Sequence, residues 1–262
     1  MNEQIYNMRR DFDGLGNAYE KSANVNITKE VIEGVDCYWF HPKETVNKNN
    51  LIIYLHGGCY VLGSIQSHRS LVSHLSEQLA LPILFIEYSL APEKPFPAAI
   101  NEIEKVYHKI LSRYAGNDII LMGDSAGGGL AISIISKDSI PSPKYLVMFS
   151  PWVDLTCKNE SLVKNKDTDP ILTKKILEDC ASLYVNDHTL SEANPIENIN
   201  NQFPPTLIFV GSGEILLDDS QSIHNNATLR IYDNENHVWL LADIFSDASK
   251  KAITEIKEFI AG

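Results

Sequence analysis

Gly123-Asp124-Ser125-Ala126-Gly127-Gly128 follows the apolar run 119–122 and precedes Leu130-Ala131-Ile132-Ser133-Ile134-Ile135, so strand, sharp turn and helix come in that order. Gly-x-Ser-x-Gly in that setting is the pattern of a nucleophile elbow. Ser125 is forced into a strained turn, with Gly123 and Gly127 leaving room for strand and helix to approach. Its hydroxyl then stands at a helix N-terminus, where the dipole favours a developing negative charge. A phosphate-binding loop would need Lys-Ser or Lys-Thr after its last glycine, and none is present.

Five short runs apolar on both faces, 51–55, 82–86, 119–122, 146–149 and 206–210, suit central parallel strands. Helical stripes alternate with them: Leu71, Val72, Leu75 and Leu79, then Ile100, Ile103, Val106, Tyr107, Ile110, Leu111 and Tyr114. This βαβα order predicts an α/β fold with a mostly parallel central sheet and helices on both faces. Segments 25–31 and 35–40 read as a hairpin turning at Gly34 on a sheet edge. The polar start of the chain reads as a short helix near the site, and between Trp152 and Pro205 the alternation stops around one helix at 173–185. One domain, 1–262, is expected, with a small cap built from approximately 1–23 and 154–203. A short helix after Leu216, a strand at 228–232 and a helix carrying Ile253, Ile256, Phe259 and Ile260 complete the chain. The last strand, with little helix before it, is expected at a sheet edge and predicts a homodimer.

The 262 residues are 44% hydrophobic and 21% charged, enough for one large core, and the net charge of −12 argues against nucleic acid or an anionic membrane as partner. No basic-plus-apolar leader opens the sequence and no run of about eighteen apolar residues occurs, which predicts a cytoplasmic protein. Cys37, Cys59, Cys157 and Cys180 lack Cys-x-x-Cys spacing and read as reduced thiols, with neither zinc nor disulfides implied. Lys166-Asp167-Thr168-Asp169 lacks the full spacing of a metal loop and reads as a solvated turn. No metal or cofactor is expected.

His56-Gly57-Gly58-Cys59-Tyr60-Val61-Leu62-Gly63-Ser64 follows the first apolar run. Acyl transfer through Ser125 would build an oxyanion, which needs N–H donors fixed in advance. Gly58, Cys59 and Ala126 are assigned as those donors. Gly57 shapes the turn, and His56, which precedes the loop, braces it. The Cys59 side chain is expected either at the mouth of the site or as an apolar filler under the loop.

His-Gly-Gly-Cys, then Tyr88-Ser89-Leu90-Ala91-Pro92-Glu93-Lys94-Pro95-Phe96-Pro97-Ala98-Ala99, then Gly-Asp-Ser-Ala-Gly-Gly, together resemble the hormone-sensitive-lipase-like family of α/β-hydrolase carboxylesterases. The similarity runs from about Leu51 to the C-terminus and takes in Asn194-Pro195-Ile196 and Pro204-Pro205-Thr206. It implies an α/β-hydrolase fold and hydrolysis of a small-molecule ester. Cys59 stands where the family usually has a third glycine, and Ser89 where it usually has arginine.

A triad in this architecture runs Ser, acid, His along the chain. Only His188, His224 and His237 follow Ser125. His188 lies in the cap segment and His224 in the short helix, whereas His237 follows the last strand and is the expected base. Its His-Val-Trp is similar to the family's histidine segment. Glu214, directly after the run 206–210, matches the family's acid position; Asp218, a helical turn later, is the alternative, and Asp219 reads as solvated. Trp152, Trp239, Phe96 and Phe203 flank site loops, to line an acyl pocket or simply to pack. The expected activity is a serine carboxylesterase acting on short acyl chains. The alternatives are a formamide hydrolase resembling kynurenine formamidase, or a receptor of the same fold, against which the intact Glu214 and His237 count.

Overall fold

The computed structural model describes residues 3–47, 49–199, 203–223 and 227–262. β1 (Val25–Ile32) and β2 (Val35–Pro42) form the antiparallel edge hairpin, turning through Glu33 and Gly34 at φ 51° and 83°. The five apolar runs become β3 (Leu51–Leu55), β4 (Ile83–Ile86), β5 (Ile119–Asp124), β6 (Tyr145–Phe149) and β7 (Thr206–Gly211), followed by β8 (Ala227–Tyr232). They pair in the order β1-β2-β4-β3-β5-β6-β7-β8, with every pair from β4 to β8 parallel.

Both faces of the sheet are covered, which is why its central strands have no polar side. Leu51, Ile53 and Leu55 of β3 enter one core while Ile52 and Tyr54 enter the other. The helices are α1 (Glu3–Asp13), α2 (Ile65–Leu79), α3 (Ala98–Ile110), α4 (Ala126–Ile135), the short α5 (Ser161–Lys164), α6 (Lys174–Val185), the short α7 (Leu190–Ala193) and α8 (Leu217–Gln221), and α9 (Asp247–Ala261). The stripes of α3 and α4 fill the first core, and Leu71, Val72 and Leu75 of α2 with Ala252, Ile253 and Ile256 of α9 fill the second. Each fully buried Leu or Ile contributes about 1.5–3 kcal/mol, so the two cores hold the sheet rigid under the loops it carries. Helix starts are fixed by side chains: Ser64 Oγ accepts from Gln66 N–H (2.9 Å) and Thr173 Oγ1 from Ile176 N–H (3.3 Å). No helix among the described residues is long and apolar enough to cross a membrane.

The N-terminal segment is strapped across the carboxyl ends of the strands. Arg9 donates to Val61 O (2.8 Å) and Ala91 O (2.9 Å) and grips Glu93 with both guanidinium ends (3.0 and 2.7 Å). Ser64 Oγ donates to Asp13 (2.6 Å), and Tyr19 donates to Leu240 O (2.6 Å). Between β6 and β7, α5, α6 and α7 interrupt the alternation where the polar and proline-rich stretch lies.

Candidate active site

Ser125 sits at the β5–α4 junction with φ 50° and ψ −121°, the strained turn expected of Gly-x-Ser-x-Gly. The flanking glycines are required by contact: a Cβ on Gly123 would lie 2.7 Å from the Gly127 backbone, and one on Gly127 would lie 2.0 Å from Leu55 O. The turn is pinned by Ser125 N–H on Phe149 O (2.9 Å).

His237 follows β8 and is nearly buried, with Nδ1 2.9 Å from Glu214 Oε2. Burial by itself would lower the imidazole pKa, but the hydrogen bond and charge of Glu214 more than offset it, and the net shift is upward. Glu214 is buried and fully engaged: its Oε1 accepts from Ser150 Oγ (2.8 Å) and Gly211 N–H (2.6 Å). Ser150, at φ 46° just beyond β6, also accepts from Val238 N–H (3.2 Å), and Val238 itself is left-handed at φ 48°. Ser150 thus holds acid and histidine loop together, a role that no motif in the sequence announced; its place at the end of the strand beside β5 was the available signal. The segment 161–169 supports the acid loop as well. Asn165 Nδ2 donates to Glu214 O (2.8 Å), and Asp169 accepts from Ile215 N–H (3.0 Å).

The other candidates fall elsewhere. Asp218 Oδ2 accepts from Ser161 N–H (2.8 Å), so its carboxylate binds the inserted segment and not His237. Asp219, expected in solvent, is buried and accepts from Val153 N–H (2.9 Å), Asp154 N–H (2.8 Å) and Asn159 Nδ2 (2.8 Å); burial pushes its carboxyl up to about 7. Two backbone donors at the bend after β6 required an acceptor, and Asp219 is it. The turn at 166–169 is solvated only in part, because Asp169 turns inward onto three backbone N–H groups. His188 is exposed beside Phe96, and His224 lies outside the described residues.

In the loop after β3, peptide planarity translates carbonyl contacts into N–H directions, because C=O and N–H of a trans peptide point opposite ways. His56 Nδ1 donates to Gly57 O (2.7 Å), which fixes the 57–58 peptide and aims Gly58 N–H away from His56. Gly58 O accepts from Val61 N–H (3.1 Å) and Leu62 N–H (2.7 Å), which fixes the next peptide and the Cys59 N–H. Cys59 carries φ 54°. The His56 ring is stacked on Tyr88 at 4.2 Å and fully buried, and burial brings its pKa down to about 3, so it braces the loop as a neutral ring. Ala126 N–H opens α4.

Ser125, His237, Gly58 and Cys59 meet at one cavity of about 160 Å³, walled by Phe12, Leu15, Ile171, Leu172, Val238 and Leu241. Both expectations for Cys59 hold in part: it lines this cavity, yet its thiol is buried against Cys180 of α6. Trp152, Trp239, Phe96 and Phe203 line none of it and pack instead. Four of the six apolar wall residues, Phe12, Leu15, Ile171 and Leu172, come from the N-terminal segment and the 171–172 turn, whose weak periodicity hid them.

A family model described as alpha/beta hydrolase fold matches residues 52–241. An esterase of Acinetobacter venetianus is 32% identical over 231 residues, covering 83% of this chain and 76% of that one. An acetyl-hydrolase of Streptomyces hygroscopicus is 34% identical over 214 residues, 77% of this chain and 71% of that one. The crystal structure of an esterase from the bacterial hormone-sensitive lipase family superposes with TM-score 0.93 at 29% identity, covering 99% of this chain and 92% of that one. The chain belongs to the α/β-hydrolase fold and, within it, to the hormone-sensitive-lipase-like family of carboxylesterases. It is an enzyme, a carboxylic ester hydrolase.

Proposed function

We propose that the protein is a serine esterase for short acyl chains, working through an acyl-enzyme. The observation that carries this reading is the convergence of Ser125 with a His237 held by buried Glu214 on one small apolar cavity. Ser125 Oγ attacks the ester carbonyl and passes its proton to His237 Nε2, while Glu214 keeps the proton on Nδ1 and stabilises the imidazolium. Gly58, Cys59 and Ala126 N–H groups hold the oxyanion. His237 then protonates the departing alcohol, and a water activated by the same ring releases the acid.

The cavity volume sets the chain length. Each methylene buried in the cavity gains about 0.8 kcal/mol of transition-state binding, roughly fourfold in kcat/KM, until the space of about 160 Å³ is full; a longer chain then meets the walls and keeps the ester from Ser125. p-Nitrophenyl acetate and butyrate should therefore be cleaved much faster than dodecanoate or palmitate in a panel that also includes formamides and lactones. A preference for the long chains would overturn the small-pocket reading.

The exposed edge of β8 favours a homodimer. β8 pairs with β7 on one side, and Ile231 on its length is 46% exposed. Antiparallel pairing of two such edges across a two-fold axis would satisfy their free backbone groups. Light scattering at micromolar concentration should report about 59 kDa, twice the 29.3 kDa chain. A monomer would remove the idea.

A further inference from the structure

Asp124, the residue before the nucleophile, is buried and spends its carboxylate on the neighbouring loop. Its Oδ1 accepts from Gly57 N–H (3.0 Å) and from the hydroxyl of Tyr54 on β3 (2.9 Å), while Oδ2 lies 3.4 Å from His68 Nε2 of α2. The fit leaves no slack, because a Cβ on Gly57 would come within 2.3 Å of Oδ2.

The protons around His68 can be placed. Ser67 Oγ gives its one hydrogen to Ser64 O (2.8 Å), so it accepts from His68 Nδ1–H (2.8 Å). Nδ1 is thus committed as a donor, and Nε2 is the ring nitrogen that faces the Asp124 carboxylate. Burial on its own would raise the Asp124 pKa, but the His68 ring and the Tyr54 hydroxyl hold it below the usual carboxylate range. The anchor therefore meets Gly57 N–H as a carboxylate, with the Tyr54 hydroxyl and the His68 ring as its other neighbours.

We propose that Asp124, backed by His68 and Tyr54, is the positioning residue of the oxyanion hole. The inference rests on the reading of Gly58 and Cys59 as oxyanion donors. His56 sets the peptide that carries Gly58 N–H; Asp124 sets the peptide before it, from the same strand end that presents Ser125. Nucleophile and oxyanion loop are thereby indexed to each other by one side chain, across the β3–β5 pair.

The test is a graded pair of substitutions. Asp124→Asn keeps an acceptor for Gly57 and removes the charge, and Asp124→Ala removes both. Turnover should fall about tenfold in the first and on the order of a hundredfold in the second, the scale of a misplaced oxyanion donor, with KM within about twofold. A trifluoromethyl ketone, which forms a tetrahedral adduct with the serine, should bind more weakly by the same factors, measured per active site titrated with a phosphonate. A structural role alone would lower the titratable fraction and leave that affinity unchanged, and this result would overturn the proposal. If Asp124→Ala does not fold, Asp124→Asn decides by the same affinity. Failure of the esterase reading is distinguishable, since the unaltered protein would then neither turn over esters nor bind the ketone.

Discussion

Ser125→Ala is expected to lose on the order of a millionfold in kcat on p-nitrophenyl butyrate, the scale found when one member of a triad that acts as a unit is removed. The loss should appear without a change in fold. Ser125 is held through its backbone, by N–H on Phe149 O (2.9 Å) and by its carbonyl, which accepts from Trp152 N–H (3.0 Å), Gly128 N–H (3.0 Å) and Gly129 N–H (3.3 Å). Alanine keeps all of these bonds. The elbow, the apolar cavity and the His237–Glu214 pair would remain, so substrate would still bind; what disappears is the atom that forms the acyl bond. Retention of most of the activity would remove Ser125 as nucleophile and turn attention to a water activated directly by His237.

Glu214→Gln should cost on the order of ten thousandfold in kcat, as when the orienting acid of a triad becomes an amide. Glutamine can still accept from Ser150 and Gly211 through its oxygen, so the acid loop stays in place while the charge beside the ring is gone. Asp218→Asn should cost far less, since an asparagine oxygen still accepts from Ser161 N–H. A second readout follows from the direction of the His237 shift. The ring must be neutral to take the serine proton, so kcat/KM rises with pH through its raised pKa. Without the carboxylate, burial, which lowers that pKa, is opposed only by the smaller pull of Asp169 and Asp124; the acid limb of the profile should move to lower pH in Glu214→Gln. A larger loss in Asp218→Asn than in Glu214→Gln would hand the role of acid to Asp218.

What could be read in advance was whatever depends on local pattern. Runs such as 119–122, short, apolar on both faces and alternating with helical stripes, suit central strands of a sheet covered twice, and Gly-x-Ser-x-Gly between a strand and a helix admits few geometries. Contacts made by single residues across the sheet end left no such pattern. Ser150 is one serine after a strand, and only the folded chain shows that Glu214 and Val238 N–H both meet its hydroxyl. Asp219 beside Asp218 in a polar stretch resembles surface, because the backbone donors that draw it inward lie 65 and 66 positions away. Phe12 and Leu15 carried too little periodicity to reveal that they wall the cavity.

Cys59, Ser125, Ser150 and Val238, all non-glycine, adopt left-handed backbone at the corners of one site. Such residues cost about 1–3 kcal/mol each, against a net folding margin of about 5–15 kcal/mol for a typical protein. The two covered cores therefore hold in reserve what the sheet ends give up, and robustness and turnover are in competition at the same four positions. Selecting variants for heat resistance alone would favour glycine wherever the lost side chain packs least. Under the proposed roles, in which Cys59 contributes only its N–H, the exchange would spare the reaction there; at Ser125 it would yield a sturdier protein with no reaction to perform.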